Sequence, residues 1–408
     1  MSDFFQNGVI TTLHRLNRNG LRELEGQLDE LAASNRIGLI LPALYTEFQH
    51  PAMQRIVDQL AQVHYLKRIV CAVGQATREQ YEHACTFFRD VPTPVTMLWM
   101  EDPRIEKLFV TLEQHGIGAG GAGKGRTCWL SYGYLLATED VDVIALHDCD
   151  IRNYDRSMLA RLVYPVANPN LGFEFSKGYY ARVSETMHGR VMRLFFTPLV
   201  RALLRIVGEV PYLQFLDSFR YALSGEFAMR TDLARANRIP SDWGLEVGVL
   251  SEIYRNCAPA RVCQVDIADN YDHKHQPLSE HDATIGLRRM SSEIGKQLFR
   301  TLAAEGIILS DASLRTLQVL YVRMAQDTIN RYYADAMVNG LSFDRHAEAT
   351  AVGAFSESLR EASRAFMENP QGLSHIPSWN RVHHAIPAFF DDLLEATKDM
   401  EPVFVPTV

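Results

Sequence analysis

Between residues 37 and 147, short apolar runs alternate with longer stretches in which apolar positions recur at helical spacing. The runs lie at 37–44, 67–73, 94–100 and 141–147, and the first reads Ile37-Gly38-Leu39-Ile40-Leu41-Pro42-Ala43-Leu44. Runs of this kind suit strands buried on both faces. The stretches between them, at 51–64, 77–88 and from Gly125 to about Thr138, read as helices. The alternation predicts an α/β fold, a Rossmann-like, mostly parallel sheet with helices on both faces.

The pattern differs on either side of this region. Residues 8–34, rich in Leu, Glu and Arg at helical spacing, predict an N-terminal helical arm. Beyond residue 170, strand candidates at 171–176 and 261–267 are separated by longer segments. From Ala283 onward every periodic segment is helical, ending with 387–398. The expected division is an arm at 1–35, a nucleotide-binding α/β part at 36–170, an acceptor-binding part at 171–282 and a helical C-terminal extension at 283–408.

Composition narrows the function more than the fold. The 41 Lys and Arg stand against 49 Asp and Glu, a formal net charge of -8, with no long basic run. This argues against a nucleic-acid partner, whose binding would rest on neutralising phosphates. A small anionic ligand remains compatible, because a few local cations and a helix N-terminus suffice for it. The six cysteines form no Cys-x-x-Cys pair, so most of them read as small buried hydrophobes in a reducing compartment. No signal-like or membrane-spanning apolar stretch is present, and a cytoplasmic location is expected.

Four segments carry candidate chemistry. The run at 141–147 ends in His147-Asp148-Cys149-Asp150, two carboxylates at i and i+2 on the carboxyl edge of the sheet, where open α/β sheets bind ligands. Two such carboxylates repel unless a cation lies between them or they share a proton, and oxygen donors suit Mg2+ or Mn2+. A solvated acidic turn has the same sequence. Gly118 to Gly125 matches the first part of a phosphate loop, but Gly125 stands where that motif needs Ser or Thr, so a loop bringing Lys124 and a helix N-terminus near a diphosphate fits better. His273, in Asp272-His273-Lys274-His275-Gln276-Pro277, is a candidate third metal ligand in a loop with cationic character suited to an anionic substrate. Finally, Leu223-Ser224-Gly225-Glu226 and Trp243-Gly244-Leu245-Glu246 set carboxylates beside glycines that permit close approach of a sugar; an ordinary turn and helix start read the same way.

Taken in order, these segments resemble the glucosyl-3-phosphoglycerate synthases and their mannosyl-3-phosphoglycerate synthase relatives, retaining glycosyltransferases with a GT-A fold. The resemblance covers about residues 37–280. It rests on Pro42-Ala43-Leu44-Tyr45-Thr46-Glu47, Gly123-Lys124-Gly125, Asp148-Cys149-Asp150, Lys177-Gly178-Tyr179-Tyr180-Ala181-Arg182, the run ending at Glu226, Trp243 to Glu246, and His273.

The resemblance implies a metal-dependent hexosyltransferase using Mg2+ or Mn2+. Pro42, Ala43, Leu44 and Glu47 would hold the nucleoside, and Lys124 would lie by the donor. Asp150 and His273 would ligate the metal, and Asp148 would touch the donor ribose or sugar. Glu226 and the Leu223 backbone would border the transferred sugar, leaving Arg182, Lys274, His275 and Gln276 to face the acceptor. The expected partners are a nucleotide-sugar donor and a small anionic acceptor, in a homodimer. Glucose transfer from UDP-glucose to 3-phosphoglycerate is the leading expectation. Mannose, GDP, free glycerate, or a polysaccharide or lipid acceptor are the alternatives. The chain departs from the family at Tyr45, where Asn is usual, at Val183, where proline is usual, and at Lys274 to Gln276, where the family carries Arg-Asn-Arg.

Overall fold

A computed structural model of the chain describes residues 4–6, 8–17, 20–241, 244–273, 286–372, 375–398 and 400. One eight-stranded sheet organises the molecule. In chain order its strands are β1 Thr11–Leu13, β2 Ile37–Leu44, β3 Leu66–Gly74, β4 Val95–Trp99, β5 Val143–Leu146, β6 Phe175–Tyr180, β7 Phe227–Arg230 and β8 Val262–Ala268. Across the sheet the order is β1-β8-β6-β7-β5-β2-β3-β4. Strand β7 runs antiparallel to both neighbours and every other pairing is parallel.

The four apolar runs of the first half are β2 to β5, buried as their composition demands. Helices Pro51–Leu60, Arg78–Thr86, Pro103–Gln114 and Lys124–Ala137 connect or flank them. Two apolar cores form, one on each face of the sheet.

Three features differ from the sequence expectation. The N-terminal helix covers only Leu21–Ala32, and Thr11–Leu13 instead adds an edge strand to β8. Edge pairing satisfies the backbone of so short a segment without any side-chain periodicity to announce it. Strand β6 begins at Phe175 rather than Leu171, which is exposed in a turn. Strand β7 was not anticipated; its four residues bridge the two halves of the sheet.

The C-terminal helices Gly286–Ala304, Asp311–Val338, Arg345–Glu368, Trp379–Ala385 and Phe389–Lys398 are packed into the main body. Trp379 stacks on Trp129 with centroids 4.0 Å apart, and each indole N–H donates to a backbone carbonyl, Trp129 to Pro377 and Trp379 to Trp129. Gly133 makes room for this: a Cβ there would lie 2.0 Å from the Trp379 ring. The extension thus braces the helix that begins at Lys124.

Candidate active site

The carboxyl ends of β2, β5, β6 and β8 and the start of β7 all reach the same edge of the sheet. Strand β5 lies on the opposite side of β2 from β3, so the chain order reverses between β2 and β5. Such a switch point opens a crevice outside the strand ends.

Asp148 lies just beyond β5. The Lys124 ammonium is 2.7 Å from its Oδ1 and donates to Glu246 Oε1 at 3.0 Å. Glu246 is in the first turn of helix Leu245–Asn256. The side chains of Lys124 and Asp148 keep 33% and 28% of their surface, against 10% for Glu246, so the trio forms a floor still open to a ligand. Burial works to discharge Lys124, but Asp148 and then Glu246 outweigh it and hold the ammonium well above its usual pKa. Burial likewise opposes the Asp148 carboxylate, yet Lys124, by charge and hydrogen bond, holds it below the ordinary range.

Gly123-Lys124-Gly125 is glycine-flanked for a packing reason. A Cβ on Gly125 would lie 2.0 Å from the Pro240 carbonyl oxygen, and one on Gly123 would lie 2.7 Å from that of Ser241. The same logic fixes Gly225, where a Cβ would fall 2.2 Å from Asp148 Oδ2. The turn before β7 is pressed onto Asp148 and held from beneath by fully buried Lys177, whose ammonium donates to Ser224 O at 2.6 Å. Burial pushes Lys177 down to about 8.

Glu226 is completely buried, and both of its oxygens accept phenol hydrogens, Oε2 from Tyr180 at 2.8 Å and Oε1 from Tyr271 at 2.6 Å. Burial, reinforced by Asp148, raises its pKa. Leu223, in the turn before β7, is largely buried. Arg182, just past β6, donates to the Tyr221 hydroxyl at 3.0 Å.

Asp150 Oδ2 and His273 Nδ1 lie 3.3 Å apart, brought together by an antiparallel bridge between Ile151 and His273. Two ligands at neighbouring positions of an octahedral Mg2+ or Mn2+ stand roughly 3 Å apart, since each bond is about 2.1 Å. Among the described residues no group of three or more His, Cys, Asp or Glu could hold a metal ion. One carboxylate and one imidazole fit an ion that completes its shell with substrate phosphates and water.

At the opposite wall, Pro42, Ala43 and Leu44 end β2, with Ala43 buried and Leu44 exposing an apolar face at the rim. Glu47 follows in the 3-10 turn Tyr45–Gln49. Lys274, His275 and Gln276, like Trp243, lie outside the described residues. The structure therefore gathers Lys124, Asp148, Asp150, Glu226 and His273 at one sheet edge. It adds Lys177, Tyr180 and Tyr271, to which the sequence assigns no role of their own, and makes Glu246, a candidate only for approach to a sugar, a partner of Lys124. All four lie inside segments that the sequence singled out or border them, and what was missing was knowledge of which faces turn inward.

His147 is fully buried, and neither ring nitrogen has a hydrogen-bond partner among the described residues. Burial, countered only in part by Asp148, pushes its pKa down from 6.5 to about 4. The unfolded chain takes up this proton below 6.5 while the folded chain refuses it until about 4, so stability is lost as pH falls through that window. The full shift corresponds to about 3 kcal/mol. The melting temperature of the wild type is expected to fall more steeply from pH 6.5 to 4.5 than that of His147→Phe, whose ring keeps the edge contact with Tyr154. Parallel slopes for the two proteins would refute this.

A switch-point crevice floored by a Lys-bridged carboxylate pair, with a third carboxylate beside an imidazole, suits the nucleotide-sugar glycosyltransferases of GT-A type. Solved structures of glucosyl-3-phosphoglycerate synthase from Mycobacterium tuberculosis share the fold. One in complex with Mg2+ and UDP aligns with a TM-score of 0.53 at 22% identity, covering 74% of this chain and 89% of that one. Another, in complex with Mn2+, UDP-glucose and phosphoglyceric acid, aligns with a TM-score of 0.52 at 20% identity, covering 73% and 89%. No protein-family profile matches the chain.

The chain belongs to the glucosyl-3-phosphoglycerate synthase family. It is 47% identical over 399 residues to the glucosyl-3-phosphoglycerate synthase of Persephonella marina, covering 98% of this chain and 99% of that protein. It is 38% identical to that of Methanococcoides burtonii, covering 97% of each.

Proposed function

We propose that this protein transfers glucose from UDP-glucose to 3-phosphoglycerate with retention of anomeric configuration, giving glucosyl-3-phosphoglycerate. The observation that carries this reading is the placement of Asp150 and His273 beside the Lys124–Asp148–Glu246 trio at one switch point. The names of the two near-full-length relatives supply the sugar and the acceptor. The M. tuberculosis complexes supply the nucleotide and the metals.

In this reading Pro42, Ala43, Leu44 and Glu47 hold the nucleoside. Lys124 and the N-terminus of its helix draw the diphosphate into the crevice. Asp150 and His273 hold a divalent cation, which when bound neutralises the leaving diphosphate. Glu246 and Asp148 orient the transferred sugar, and Arg182 faces the anionic acceptor. The three carboxylates nearest the floor, Asp148, Glu226 and Glu246, are each engaged by Lys124 or by a tyrosine. None is presented as a covalent nucleophile, which favours attack of the acceptor hydroxyl on the face that the phosphate leaves, with that phosphate accepting the proton. Positioning then supplies much of the rate. The division into a donor-binding part at 36–170 and an acceptor-binding part at 171–282 is part of this account.

The test is a matrix of UDP- and GDP-glucose and -mannose against 3-phosphoglycerate and glycerate, read by released nucleotide. UDP-glucose with 3-phosphoglycerate is expected to be fastest. No release above background anywhere in the matrix would sink the proposal.

We also place the reaction in the cytoplasm and in a homodimer. All six cysteines are free and buried, as suits a reducing compartment. Among the described residues no helix is long and apolar enough to cross a membrane. Ile308, between helices Gly286–Ala304 and Asp311–Val338, and Val319 and Val338, on the second of them, are exposed apolar positions that a subunit contact would cover. Sedimentation of the protein as a single 46.2 kDa species at micromolar concentration would contradict the dimer.

A further inference from the structure

The segment that carries His273 has a buried anchor, and the Tyr271 and His273 rings meet edge to face with centroids 5.6 Å apart. Tyr271, two positions earlier, is almost wholly buried and donates its hydroxyl to Glu226 Oε1 at 2.6 Å. Its ring stacks on that of Tyr180, with centroids 3.8 Å apart and planes 5° from parallel, and Tyr180 donates to the other oxygen of the same carboxylate. Its backbone N–H donates to Ala181 O at 2.9 Å. From this anchor the segment 270–273 is laced to 151–153: Arg152 N–H donates to Asp272 O, Asp272 N–H to Asn153 Oδ1, and Asn153 Nδ2 to Asn270 O. The lacing ends where His273 meets Asp150.

We propose that Tyr271 is a positioning residue for the divalent cation: its hydroxyl on Glu226 and its ring on Tyr180 fix the segment that presents His273 to Asp150. This rests on the assignment of Asp150 and His273 to the metal. Glu226 is on this view the fixed post of the arrangement, since none of its surface is exposed and it follows the turn that Lys177 holds through Ser224 O. Groups that orient a metal ligand without touching the metal commonly tune affinity strongly.

Tyr180 provides the control. Tyr180→Phe and Tyr271→Phe each remove one phenol hydrogen bond from the same buried carboxylate, so a cost to folding is shared between them and is read from their melting temperatures. Only Tyr271 lies on the segment that carries His273. The readout is Mn2+ binding in the presence of UDP, followed by the electron paramagnetic resonance signal of free Mn2+, with no turnover required. Tyr271→Phe is expected to raise the Mn2+ Kd about tenfold, while Tyr180→Phe stays within about twofold of wild type. Equal weakening in both variants, or weakening in neither, overturns the role of Tyr271. His273→Ala separates this from the underlying assignment. If it binds Mn2+ as tightly as wild type, the metal site itself is wrong. If it binds weakly while Tyr271→Phe is unchanged, only the positioning role falls.

Discussion

Asp150→Ala is expected to lose on the order of 10³-fold in kcat/KM at any concentration of Mg2+ or Mn2+, because charge stabilisation at a leaving group amounts to several kcal/mol. In the proposed metal site Asp150 Oδ2 is one of two protein donors, and it stands 3.3 Å from the other, His273 Nδ1. With one removed, a single imidazole would be left, a poor holder of a hard cation. The fold should survive, since about a quarter of the Asp150 side chain is exposed and the backbone bridge between Ile151 and His273 does not depend on it. Initial rates of nucleotide release across a metal titration check this. A variant that recovers to within about tenfold of wild type at high metal would remove Asp150 from the role.

Lys124→Met is expected to cost on the order of 10² to 10³-fold in kcat/KM and to move the acid limb of the pH profile upward. In the native protein Lys124 stands 2.7 Å from Asp148 and 3.0 Å from Glu246. Methionine keeps the length of the side chain but leaves two carboxylates sharing a partly desolvated floor. Burial already pushes Asp148 toward the protonated form, and Lys124, by charge and hydrogen bond, is the largest of the influences that prevail against it. Once that cation is gone, Asp148 is expected to hold its proton to higher pH than in the native protein, and the diphosphate of the proposed donor complex would meet no ammonium there. Rates measured from pH 5 to 9 decide the matter. An unshifted acid limb would show that Lys124 does not set the charge state of Asp148.

Strands β2 to β5 were legible because each is largely buried on both faces, which leaves a mainly apolar run. The elements that escaped, or whose bounds shifted, carry no such mark. Thr11–Leu13 is three residues long and stands at the sheet edge. Strand β6 carries the fully buried Lys177 and two tyrosines, a composition that from sequence suits a surface as well as a core. At the site, Asp148, Asp150, Lys124 and His273 were legible because a parallel sheet sends its strand ends to one edge. The surroundings of Glu226 were not. Its phenol partners Tyr180 and Tyr271 are 46 and 45 residues away in the chain, and only the parallel pairing of β6 with β8 lays those two rings against each other. Glu246 was visible as a residue but not as a partner of Lys124, 122 positions earlier.

The central claim is that this crevice moves glucose from a uridine diphosphate to a phosphorylated acid. Its most direct test is the proton NMR spectrum of the product formed from UDP-glucose and 3-phosphoglycerate. The account predicts a single new α-anomeric glucosyl signal that grows with released UDP, appears only with Mg2+ or Mn2+ present, and vanishes with chelator. A β-anomeric product, or the same product formed at an undiminished rate without metal, would contradict it.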